Sequence, residues 1–177
     1  MSGEPEAREH RDLLPVIVER EGATLPEGFD TWGIKSVRPD LRTRGGYQWP
    51  FPGSVAVAHD VDGSNTGACP SREGDGLCVA STWRGMASGG IPALTLLLVA
   101  YSSADVLGCD ELAGKTRHRA VAVVALVDGE WLLRDVGGCA NLRGANLGGA
   151  DLRGARASSR TAWPVGFDPG WAGVVSA

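Results

Sequence analysis

An α+β fold built on an antiparallel sheet is what this 177-residue sequence predicts, and three observations predict it. Short runs rich in Val or Leu, each bounded by turn residues, have the composition of strands: SVAVA at 54–58, LTLLLVAY at 94–101 and RAVAVVALV at 119–127. Helical signals between them are scarce, with TWRGMAS at 82–88 the one short candidate. After residue 136 the pattern changes to a five-residue period, which fits neither a helix nor a flat strand.

The chain divides into an N-terminal arm (1–32), an α+β domain (33–136), a repeat segment (137–159) and a C-terminal tail (160–177). In the arm, Glu4 to Leu14 suits one short helix with Ser2 as its cap and Pro5 in its first turn. Val16-Ile17-Val18 is β-branched and suits a strand, and the arm as a whole is expected to order against a partner. GGYQWPFPG at 45–53 packs three aromatics and two prolines into nine positions and predicts a rigid, packed loop. DVDGSNTGACPSREGDG at 60–76 has almost nothing to bury and predicts a surface loop.

Residues 140–155 read ANLRGANLGGADLRGA. Ala140, Ala145 and Ala150 each precede a polar residue and then Leu142, Leu147 and Leu152. This spacing resembles the pentapeptide-repeat family, with its A(D/N)LXX motif. The resemblance implies about one coil of right-handed quadrilateral β-helix after the sheet body, with the leucines inward and the alanines stacked beside them. RTAWPVGFDPGWAGV at 160–174 is similar to the ending that closes bacterial chains of this family, matching at Thr161, Trp163, Pro164, Gly166, Phe167, Asp168 and Pro169. Trp163 and Phe167 would then cap the coil. Three good repeats cannot enclose their own leucines, so the coil is expected to dock on the body or on another chain. RTRGGYQWPFPG, CPSREGDGLCVASTWRGMASGG and LVAYSSADVLG, within 38–136, resemble a domain that precedes pentapeptide repeats in actinobacterial and phage proteins.

Composition narrows the function classes. A net charge of −4 and the scatter of the fifteen Arg give no electrostatic reason to expect nucleic acid. Mimicry of duplex DNA, known in the pentapeptide family, needs a long acidic rod, whereas this short segment carries Arg143, Arg153 and Arg156. MSGEPEAREHRD lacks the apolar stretch of a secretory signal, and IPALTLLLVAY at 91–101 is too short to span a bilayer. Together with the resemblance to actinobacterial and phage proteins, this implies a bacterial cytoplasmic or virion location.

The chemistry-bearing residues are few. Cys69, Cys78, Cys109 and Cys139, with His59 and His118, could ligate a metal, but they lack the CxxC pair that one tight turn supplies, so structural thiols and no cofactor are expected. An enzyme would use Cys78 as nucleophile, His59 as base and Asp60 or Asp75 as orienter, or a transferase-like cleft at Arg42, Tyr47 and Trp83. The reading that best fits the whole is a non-enzymatic structural or interaction module that binds other protein chains. The phage resemblance implies an accessory, decoration-type virion protein, and a homo-oligomer is one form it could take. A host-directed effector enzyme is the alternative.

Overall fold

A computed structural model describes residues 13–87, 91–135, 147–149, 152–153, 155–157, 159 and 161–176. Seven strands make one antiparallel sheet: β1 (Thr31–Val37), β2 (Ser54–Val57), β3 (Leu77–Ala80), β4 (Thr95–Tyr101), β5 (Val106–Asp110), β6 (Lys115–His118) and β7 (Ala120–Asp128). Their order is β2-β7-β4-β1-β3-β6-β5. Among the described residues three α-helices accompany them, α1 (Leu13–Glu21), α2 (Trp83–Ala87) and α3 (Gly129–Asp135), with one 3-10 turn at Ser103–Asp105.

The apolar run TLLLVAY becomes β4 because both faces of the sheet are covered there. Leu96 and Leu98 enter a core with Leu13, Ile17, Ile34, Met86 and Leu132, while Leu97, Val99 and Tyr101 enter a second with Val37, Trp49, Leu77 and Val121. The helices and the C-terminal segment close the first face, and the 38–53 loop closes the second. β7 pairs with both β2 and β4, and a bulge shifts its register between Leu98↔Ala125 and Val99↔Val123.

The arm departs from expectation. Val16-Ile17-Val18 lies inside α1 rather than in a strand. β-branched propensity loses to position here, because Leu13 and Ile17 sit one helical turn apart and both are fully buried in the first core. Pro15 is tolerated in the opening turn, and α1 stops at Gly22. That glycine takes φ +57°, with Gly22 N–H donating to Glu19 and Ala23 N–H to Val18 in a Schellman arrangement. The Arg20 guanidinium lies 3.4 Å over the Trp131 ring, tying α1 to α3. The expected helix at Glu4–Leu14 lies mostly outside the described residues.

The expected coil of right-handed β-helix is corrected by the structure. Downstream of α3, the strands among the described residues are β8 (Arg156–Ala157) and β9 (Val175–Ser176), paired in parallel over two positions. No right-handed β-helix is indicated among the described residues. Leu147, Leu152 and Ala155 are buried in the same core as Leu13, Ile17 and Leu98. The physical reason is one of supply: too few repeats exist to enclose a tube, so these side chains complete a face of the sheet. Trp163 and Phe167, the expected cap residues, stack at 5.1 Å between ring centroids and pack on this core. Ala140, Leu142, Ala145 and Ala150 lie outside the described residues. Among those described, no helix is long and apolar enough to cross a membrane.

Candidate functional site

β1 pairs with β4 along all seven of its residues, yet with β3 only at Ile34↔Ala80. Beyond that point the two strands part, and a cavity of about 710 Å³ opens between Lys35–Ser36 of β1 and Leu77–Val79 of β3. The 43–49 loop closes one side of it, residues 69–76 another, and Gly85, Met86 and Ile91 a third. Its size falls within the range of small-molecule and peptide pockets.

The walls are apolar and the polar groups are mostly donors. Both lysines of the chain, Lys35 and Lys115, line the cavity, half-buried. Burial pushes the Lys35 ammonium pKa down, and nearby Lys115 adds to the fall, while Cys78 and Cys69 pull it back. Trp49 also lines the cavity; it is 2% exposed, and its indole N–H has no acceptor among the described residues. Such a buried donor costs about 1–3 kcal/mol when left unsatisfied. Tyr47 meets Trp49 edge-on at 5.9 Å, which holds the indole in place.

The 60–76 loop is more than a surface excursion, because a buried ion pair organises it. Asp75 and Arg117 of β6 are both fully buried, with Arg117 Nη1 2.6 Å from Asp75 Oδ1. The Asp75 carboxylate also accepts from Asp62 N–H at 2.7 Å, Asn65 Nδ2 at 2.7 Å, Ser71 N–H at 2.8 Å and Ser71 Oγ at 2.9 Å. Arg117 in turn donates from Nε to the Gly67 carbonyl at 3.0 Å, from Nη1 to the Asp75 carbonyl at 2.7 Å, and from Nη2 to the Asn65 carbonyl. Burial alone would raise the Asp75 pKa, but the bonds from Ser71, Asn65 and Asp62 outweigh it and hold the carboxyl well below the usual range. Gly76 permits this arrangement: at φ +97°, a Cβ there would sit 2.7 Å from Arg117 Cγ.

That scaffold brings Cys69 to the cavity wall that also holds Cys78, the second residue of β3, and each thiol shifts the other's ionisation. Cys69 is exposed and Cys78 buried. The Cys78 thiol lowers the Cys69 pKa to about 6, helped by Lys115 and Lys35 against the opposing effects of burial and Asp110. Cys78 is pushed the other way, by Cys69 and by burial.

The residues expected to form a catalytic set are not brought together as one. Cys78 is at the cavity, but Asp75 is taken up by Arg117 and the loop, and Asp60 binds Arg72 at 2.7 Å. His59 packs beside Gly74, outside the cavity lining. Of the transferase-like trio, Tyr47 lines the cavity while Arg42 and Trp83 do not. His118 stacks on Tyr101 at 4.0 Å and bonds Thr116 Oγ1 at 2.8 Å, which is a core role. Among the described residues no three His, Cys, Asp or Glu gather as a metal site, and Cys139 lies outside them. Sequence reading missed Lys35, Lys115 and Trp49 as site residues. Two lysines against fifteen arginines was the one signal that could have drawn attention to the first pair. Compared with family models, curated proteins and solved structures, the chain matches none.

Proposed function

We propose that this protein is a non-enzymatic interaction module, and that the cleft between β1 and β3 receives an extended, carboxylate-bearing segment of another protein chain. The observation that carries the reading is the early end of the β1–β3 ladder, which leaves two strand edges facing a cavity of about 710 Å³. Strand edges recognise extended backbone through main-chain hydrogen bonds. Lys35, Lys115 and the Trp49 N–H add donors that ask for acceptors, and carboxylates and peptide carbonyls supply them. The apolar walls, among them Ile34, Leu77, Val79 and Met86, would take the segment's intervening side chains.

The resemblance of residues 38–136 to domains of actinobacterial and phage proteins makes a virion protein the first partner to test. Fluorescence anisotropy with two labelled hexapeptide pools tests the chemistry itself, one rich in Asp and Glu, the other with Asn and Gln in their places. The acidic pool should bind, the amide pool at least about tenfold (about 1.4 kcal/mol) more weakly, and Lys35→Gln with Lys115→Gln should erase the difference. Equal binding of both pools, or binding to neither, would overturn the proposal.

A further inference from the structure

Cys69 and Cys78 have a division of labour that an interaction module does not require. One is exposed on a loop fixed by the Asp75–Arg117 pair, the other is buried in a strand, and both line the wall of the same cavity. An accessible thiol beside a buried partner is the arrangement of an attacking and a resolving cysteine. We propose that Cys69 and Cys78 form a reversible dithiol–disulfide site, with Cys69 attacking a low-molecular-weight disulfide and Cys78 resolving the adduct.

The steps balance. The Cys69 thiolate attacks one sulfur of the small disulfide, breaking its S–S bond and releasing one thiolate, which leaves Cys69 in a mixed disulfide. Cys78 passes its proton to that released thiolate, and its sulfur attacks the Cys69 sulfur. The second small thiolate leaves, taking a proton from solvent to replace the one Cys69 gave up. The two protein sulfurs are oxidised by two electrons in all, and one disulfide is reduced to two thiols. No other reactant is needed.

The charged groups around Cys69 favour the first step. Lys115 of β6 and Lys35 of β1 stabilise its thiolate, Asp110 of β5 opposes them, and Arg72 and Glu73 of the same loop also line the cavity. Magnitudes choose the pH of the experiment. A thiol with a pKa of about 6 is some thirty times more ionised at pH 7 than an ordinary one near 8.5, but its lower nucleophilicity cancels most of this, leaving roughly a twofold gain. At pH 6 the ionisation advantage is on the order of 150-fold, and a net gain of about tenfold survives.

The full chain should be treated with oxidised glutathione at pH 6 and mapped by mass spectrometry. Wild type is expected to lose two hydrogens in a Cys69–Cys78 disulfide that a dithiol reverses. Cys78→Ser should halt at one glutathione on Cys69, formed before any adduct on Cys109. Cys69→Ser should leave Cys78 unmodified. Reaction first at Cys109, or adducts on Cys69 in wild type that never resolve, would overturn the assignment. The peptide pools bear on none of these outcomes, so the site stands or falls separately from the binding reading.

Discussion

His118 shows how a single side chain ties stability to pH. It is fully buried, stacked on Tyr101 and bonded to Thr116, and burial pushes its imidazole pKa down, with the Asp105 backbone and carboxylate opposing. In the unfolded chain it titrates near about 6.5. Below that value the unfolded chain takes up a proton that the folded chain refuses, so stability falls as pH drops from about 7 toward 5, by at most about 1.4 kcal/mol per pH unit. Denaturant unfolding at the two pH values should show this loss in wild type and a smaller one in His118→Phe, which keeps an aromatic against Tyr101. Equal losses in both proteins would assign the effect elsewhere. Asp75 acts in a lower window: its depressed pKa contributes stability that is complete above the unfolded carboxylate value of about 3.9 and is lost as pH falls through the folded one.

Among the elements, the repeat segment is the instructive case. Its period-five leucines were legible in the sequence as inward-facing, and Leu147 and Leu152 are indeed buried. What they are buried against was not legible, because periodicity reports which side chains want an interior and not which interior is on offer. Leu152→Ala should cost roughly 2–5 kcal/mol, the usual range for a buried leucine, while Arg153→Ala at an exposed position should cost well under about 1 kcal/mol. Thermal melts of the two variants measure this directly, and the reverse ranking would place the segment outside the core. The same limit applies to α1, where β-branched propensity pointed to a strand and the docking of Leu13 and Ile17 chose a helix.

For the whole molecule, α1 and the described part of the C-terminal segment converge on one face of the sheet and share its core with α2, α3 and β4. The helix at 13–21 buries Leu13 and Ile17 in the core of the same chain, so its order is expected without a partner. Hydrogen exchange of the purified chain should find its amides protected, though less than those of β4, which is paired on both edges and buried on both faces. Fast exchange throughout 13–21 in the free protein would return that segment to a partner-dependent role.

By itself the sequence determined three of the seven sheet strands: SVAVA, TLLLVAY and RAVAVVALV carry enough β-branched and apolar density, with turn residues at their ends, to be recognised locally. It also marked TWRGMAS as the helix α2, while of the three aromatics in the 45–53 loop Trp49 is buried, Tyr47 is half-buried and Phe51 is exposed. Only the tertiary structure decided that β1 and β3 part after one paired position, that Asp75 and Arg117 meet 42 positions apart, and that Cys69 reaches Cys78 beside both lysines. Those are relations between segments distant in the chain. They are settled by which faces and charges must be buried together, a constraint that no local pattern of residues contains.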